Sequence, residues 1–551
     1  MKYVLTLCIL FLVGPRAFAQ EQFGRRDSLR GGERIERSCF DVRYYDLSVN
    51  LDIPARKISG TNKILFEVVS TTNRIQLDLF ENMTIEAITL EGRSQKYTRD
   101  FDAVFIDFDK TINKGEKVEV IVTYSGNPRV AKMAPWDGGF SWSTDKDGNP
   151  WVAVSCQGIG ASLWWPTKEV YSDEPDSMRI HCRVPSSLYA VCNGQEEKAI
   201  QHSDSTTTYN WKVSYPINNY NVTLNIAKYV HFDDTYISPD GDRLALDYYV
   251  LPASLELAKK QFQQVKPMLA CYEKFLGKYP FWNDGYALVE TPYLGMEHQG
   301  AIAYGNKFKR GYMGMDRSGQ NLDFDYIIIH ETGHEWWGNS VSAQDLADMW
   351  IHESFCTYSE AIYVECMYDY TTAMKYVNAM KSSVSNSSPM IGIYGLNNEG
   401  NGDMYLKGML FLNTLRHLVD DDEKWWAMIK NMSDTKFKIR TTNYDEVVAY
   451  FSEQSGMNLS KIFEQYVTKK SPPVLEYDIQ KKNGKTILKY RWKTDVADFV
   501  MPVILTVEGK DTRLSRDAGT KTLVWEGNRK LEFDTTRFYY ELREVDFSKK
   551  K

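Results

Sequence analysis

Between residues 41 and about 229, apolar and polar residues alternate in short runs broken by turn signals. Tyr45-Asp46-Leu47-Ser48-Val49-Asn50-Leu51 and Lys117-Val118-Glu119-Val120-Ile121-Val122-Thr123-Tyr124 are two such runs, with Gly60, Gly115, Gly126 and Asn127 as punctuation. A period of two puts every second side chain on one face, so this stretch predicts an N-terminal antiparallel β domain over 38–232. The period changes after His231. Ser254-Leu255-Glu256-Leu257-Ala258 opens a helical pattern reaching Phe275, a short β region spans 286–304, and helical patterns dominate 324–466, which together predict an α/β domain over 233–470. Lys469-Lys470-Ser471-Pro472-Pro473 has the composition of a linker. Beyond it, strand patterns at 475–479, 486–492, 500–507, 522–525 and 530–533 predict a small C-terminal β-sandwich over 471–551. The expected class is multidomain α+β. Residues 20–37, rich in Arg, Gly and Glu, are expected to form a flexible arm.

Length and charge narrow the picture. A chain of 551 residues can bury several cores without disulfide staples. Its formal charge of −7 excludes the basic footprint of a nucleic-acid-binding protein. Residues 1–19 read as a signal peptide, with Lys2 before an apolar run over 4–13 and Ala17-Phe18-Ala19 as cleavage site ahead of Gln20. Export follows as an expectation, to a periplasm or to the outside. Seven cysteines lie beyond that segment, without a CxxC pair, and read as mostly buried thiols; Cys182 and Cys192 are candidates for a bridge across a strand pair. No later run is long and apolar enough to span a bilayer as a helix. Oligomeric state is not written in the sequence.

The chemistry concentrates in His330-Glu331-Thr332-Gly333-His334, followed eighteen residues later by Glu353. Residues i and i+4 share a helix face, so both imidazoles can reach one metal ion while Glu331 reaches a water beside it. Glu353 supplies a third ligand. Three protein ligands leave a zinc ion one open position, which marks a site that activates water and not one that only holds a fold. The expectation is one Zn²⁺ per chain. The apolar approach over 324–329 and the stop at Gly338-Asn339 support a helix, and Gly333 inside it points either to the close approach of another backbone or a ligand or to a tolerated weak point.

With those residues in place, the chain resembles the zinc aminopeptidases of the aminopeptidase N and leukotriene A4 hydrolase type. The HETGH run and Glu353 match the family's zinc signature, Leu294-Gly295-Met296-Glu297-His298 resembles its GxMEN element, Tyr405-Leu406-Lys407-Gly408 its YxKG, and Gln157 in Cys156-Gln157-Gly158 its glutamine strand. The resemblance implies a thermolysin-like catalytic domain. It also implies His330, His334 and Glu353 as metal ligands, Glu331 as general base and Tyr405 as donor to the oxyanion. Gln157, Gly295, Met296, Glu297 and His298 would contact the substrate, a peptide with a free N-terminus, and Tyr293 would join Met296 in lining the pocket for the first side chain. Glu360, two turns beyond Glu353, would either hydrogen-bond a liganding imidazole or serve as an ordinary surface carboxylate. Two positions depart from the pattern, Leu294 for a glycine and His298 for an asparagine, and both bear on side-chain preference. Many relatives continue into a large helical domain; an end soon after the third domain would leave a more open cleft.

Competing functions remain at this level. A thermolysin-like endopeptidase would share HExxH without needing Glu297. An epoxide hydrolase would need a deep apolar channel, and a catalytically inactive binding scaffold would not need an intact ligand set.

Overall fold

The computed structural model describes residues 23–514 and 519–548. The expected signal peptide lies outside the described residues. The N-terminal region is built on an eight-stranded sheet in the order Gln195–Gln201, Thr206–Val213, Ser177–Pro185, Phe40–Asp52, Lys57–Val68, Lys117–Gly126, Met83–Leu90, Arg93–Ser94. A four-stranded and a three-stranded sheet accompany it. The alternation is realised in detail: Tyr45, Leu47, Val49 and Leu51 are buried while Asn50 is exposed, and Val118, Val120, Val122 and Tyr124 face the same core. One junction is parallel rather than antiparallel, Phe40–Asp52 beside Ser177–Pro185. These strands are far apart in sequence and so need no tight turn.

The expected flexible arm is corrected by the structure. Residues 25–31 and 35–38 form two short helices. Arg37 is fully buried and pairs with Asp78 at 2.6 Å, Arg30 pairs with Glu169 at 3.3 Å, and Leu29 packs with Ala103 and Phe105. The charges that made the segment look solvated are neutralised by acids brought in from other strands.

The expected boundary at 232 also falls inside a strand. Val230–Ile237 pairs along its length with Arg243–Val250 and begins the central sheet of the next region, in the order Val230–Ile237, Arg243–Val250, Tyr286–Glu290, Ile302–Tyr304, Gly295–Met296. The inner pairings are parallel, and the edge strand Gly295–Met296 runs antiparallel. Helices cover this sheet. The longest among the described residues, Met349–Met367, is buried without interruption over 349–364, so it is a central core helix with no solvent-exposed stripe over that length. After the linker, the C-terminal strands form a four-stranded sheet and a three-stranded sheet. Lys510–Leu514 and Glu541–Glu544, mostly exposed and charged, join them without an apolar alternation to announce them.

All seven described cysteines are free, Cys182 and Cys192 included; these two lie on strands of different sheets. No helix among the described residues is long and apolar enough to cross a membrane.

Candidate active site

The motif helix, Tyr326–Gly333, starts where Asp325 accepts the Ile327 amide at 3.0 Å, a side-chain cap that satisfies one free donor. Ile327, Ile328 and Ile329 anchor it in the core. Gly333 answers a packing need: a Cβ there would lie 3.0 Å from Cys356 Sγ on the helix behind. Gly295 has a similar reason. Its Cβ would fall 2.5 Å from Glu331 Oε1, so only glycine lets the edge strand pass directly over the motif helix. Gly408 lacks a side chain because one would overlap Ser354, next to Glu353, and this brings the helix Asp403–Val419, carrying Tyr405, onto the central helix. Lys407, buried and pushed down to about 8 by burial, donates to the carbonyls of Lys469 and Lys470 at 2.9 and 2.8 Å. It ties that helix to the linker and is not part of the site.

Three donor atoms converge. His330 Nε2 lies 3.3 Å from His334 Nε2 and 3.7 Å from Glu353 Oε2, and His334 Nε2 lies 3.4 Å from Glu353 Oε2. Ligands about 2.0–2.2 Å from a tetrahedral zinc ion stand about 3.3–3.6 Å from one another, so the spacing fits that ion. The other ring nitrogens are committed elsewhere: His330 Nδ1 to Glu360 Oε1 at 2.7 Å, His334 Nδ1 to the Trp337 carbonyl at 2.8 Å. With Nδ1–H donating in each, both Nε2 lone pairs are left pointing at each other and at Glu353. Glu353 Oε2 is buried without a hydrogen-bond partner, while Oε1 accepts from Gln157 Nε2 at 2.8 Å. An orphaned carboxylate oxygen facing two imidazole lone pairs is stabilised by a cation. Although burial opposes it, the two imidazoles hold Glu353 well below the ordinary carboxylate range. Cys356 Sγ also comes near the imidazoles, but its thiol hydrogen goes to the His330 carbonyl at 2.8 Å.

Around this centre, Glu297, Glu331 and His334 bring ligand-type atoms within 4.8 Å of one another. Burial pushes Glu331 up to about 7 and raises Glu297 as well. The Tyr405 ring centroid stands 6.1 Å from that of His330. A cavity of about 330 Å³ opens here, lined by Gln157, Gly295, Met296, Glu297, Glu331 and Tyr405 together with the three donors.

Two expected pocket residues are elsewhere. His298 does not line the cavity: it is fully buried, both its ring nitrogens lack hydrogen-bond partners, and burial drives it down to about 3. The edge strand ends at Met296, and past it Glu297 lines the cavity while His298 does not. Tyr293 donates to the Val154 carbonyl at 2.9 Å and is also off the wall. Conversely, Tyr220, Asn339 and Tyr376 belong to the site's support and escaped the sequence reading. Tyr220 donates to Glu297 Oε1 at 3.1 Å, Asn339 to the Glu297 carbonyl at 2.8 Å, and Tyr376 to Glu360 Oε2 at 2.5 Å. No local motif marks them.

A short helix presenting two imidazoles, a carboxylate from the next helix, and a mixed sheet whose edge strand crosses the helix together define the metallopeptidase class of fold. Residues 260–466 match the peptidase family M1 domain. The chain is similar to a probable aminopeptidase 1 of Sulfurisphaera tokodaii, 22% identical over 90% of this chain and 63% of that protein. It is likewise similar to an aminopeptidase N of Lactobacillus helveticus, 21% identical over 79% and 52%. It thus spans between about half and 63% of the length of these relatives. An M1 zinc metallopeptidase of Deinococcus radiodurans superposes with a TM-score of 0.67 over 81% of this chain and 97% of that one, at 19% identity, a likeness of fold. The match to the peptidase family M1 domain covers residues 260–466, and the likeness of fold extends over 81% of the chain.

Proposed function

We propose that this protein is a zinc-dependent aminopeptidase that removes the N-terminal residue of peptides and acts outside the cytoplasm. The observation that carries the reading is Glu297. A buried carboxylate within 4.8 Å of the general-base candidate and a liganding imidazole, on the cavity wall, suits a cation held one residue's length from the scissile bond. A free α-ammonium is that cation. Gln157, whose amide donates to Glu353, keeps its oxygen as a further acceptor without adding charge.

His330, His334 and Glu353 would hold the zinc, which when bound supplies Lewis acidity to the carbonyl and to the attacking water. Glu331 takes the proton from that water and passes it to the leaving amine; a carboxyl near 7 is matched to both directions of transfer. Tyr405 donates its phenol hydrogen to the oxyanion of the tetrahedral intermediate. Glu360, itself held by Tyr376, fixes the tautomer and aim of His330. Export rests on the pattern over residues 1–19 and is tested by fractionating cells that express the full chain.

The test is hydrolysis of aminoacyl-coumarin amides, each with a free and an N-acetylated amine, before and after 1,10-phenanthroline. Cleavage of the free-amine series alone, lost with chelator and restored by zinc, is expected. Cleavage of acetylated internal peptides would move the function to an endopeptidase; zinc binding without any peptide cleavage would favour epoxide hydrolysis or a scaffold.

A further inference from the structure

Glu399 lies on the cavity wall and has no part in the chemistry above. It comes from the loop before the helix that carries Tyr405. Its carboxylate presses against Gly158: a Cβ on that residue, whose φ is +70°, would come 2.9 Å from Glu399 Oε2. Glycine at 158 suits the left-handed backbone turn, and the tip of the acid lies against its open face. Gly158 directly follows Gln157, so Glu399 stands beside the residue assigned to the α-ammonium. Trp136, two-thirds exposed, lines the same cavity, as does Met296.

The carboxylate is half-buried, yet it forms no hydrogen bond or ion pair with any described residue. Burial, with Glu353 and Glu297 adding repulsion, pushes it up to about 7. Arg317, the one cationic side chain among the described lining residues, sits over the Tyr312 ring and does not neutralise it. A carboxylate that lines a ligand cavity without a partner in the chain is completed by a cation from the ligand. The first residue's side chain branches from the carbon that bears the ammonium, so it leaves that carbon next to Gln157, Gly158 and Glu399. A long aliphatic stem can lie along Trp136 and Met296 while its charged end reaches the acid.

We propose that Glu399 is the specificity determinant for the first residue and selects substrates that begin with lysine or arginine. The inference rests on the aminopeptidase reading. Glu297 remains the group for the ammonium that every substrate has; Glu399 recognises the charge that only some carry.

The experiment compares kcat/KM on Arg-, Lys-, Leu- and Glu-coumarin amides for the zinc-loaded full chain, for Glu399→Gln and for Glu399→Arg, with zinc content and circular dichroism as folding controls. The wild type is expected to prefer Arg and Lys over Leu. Glu399→Gln is expected to lower kcat/KM for Arg and Lys by about 10–100-fold, the value of one charge-assisted contact, while Leu changes by less than about threefold. Glu399→Arg should reject the basic substrates further and gain on Glu. An equal loss on all substrates would assign Glu399 to the common ammonium and overturn the proposal, as would an unchanged Arg-to-Leu ratio in both variants. If the wild type cleaves no free-amine substrate, the aminopeptidase reading itself falls and the proposal with it. Competition of lysinamide and leucinamide for the zinc-loaded wild type and Glu399→Gln, followed by calorimetry, reads the same discrimination without turnover.

Discussion

The N-terminal β region and the centre around His330 both bury ionisable groups, and they balance them in opposite ways. In the first, Arg37 and Asp78 are fully enclosed and pair at 2.6 Å, and Asp78 also accepts from Gln76 and from the Glu169 amide. Lys168 and Asp173 form a second enclosed pair nearby. In both pairs the negative charge has its positive partner in the chain. In the second, Glu297, Glu331, Glu353 and Glu360 gather around two imidazoles, with one oxygen of Glu353 left without a partner. Burial of opposite charges in equal number stabilises a fold only weakly but breaks it when one is removed. An excess of buried acid is a standing demand for a cation, and it marks a binding site.

This contrast can be broken by mutations that hit activity on one side and stability on the other. The largest effect is expected for Glu331→Gln, with kcat reduced by about 10⁴-fold, at the upper end for a positioned base, while zinc content by atomic absorption stays at one per chain. Arg37→Ala should cost about 3–5 kcal/mol in urea unfolding, because Asp78 is left buried and unpaired, with kcat per folded molecule unchanged. Restored stability in Arg37→Met combined with Asp78→Leu would sharpen the point that the pair is structural. Tyr405→Phe should lower kcat by about 10²–10³-fold, with little change in substrate binding, since in the proposed mechanism its phenol acts on charge that develops only in the transition state. Glu360→Gln should weaken zinc by about 10–100-fold in a chelator competition while the folded chain persists. A Glu331→Gln variant with wild-type turnover would refute the mechanism, and an Arg37→Ala variant that loses zinc would erase the distinction between the two regions.

What could be read ahead from the chain was governed by distance along it. Two imidazoles four apart, and a carboxylate two helical turns beyond Glu353, follow from helix geometry within one or two elements, so the convergence on His330 was legible. Alternation made the strands at 45–51 and 117–124 legible for the same reason. His298 was misread because similarity to a motif says which residue is adjacent, whereas the folded path of the backbone decides which side it faces. The segment over 25–38 was misread because its charges look solvated until Asp78 and Glu169 are brought beside them from other strands. Tyr220, Tyr376 and Glu399 carry no local sign; the two tyrosines reach the site from elements of their own and Glu399 from the loop before Tyr405.

The sequence by itself determined the chemistry available, through the HETGH spacing, Glu353, and the periodicities that separate a β region, a mixed region and a second β region. Tertiary structure decided which buried acids are neutralised and which are left facing a cavity. It also decided which glycines permit close contact, and which tyrosines and carboxylates surround the centre. The physical reason is that helix and strand geometry act over a few residues, while burial and charge balance depend on groups that meet only when the sheets and helices have packed together.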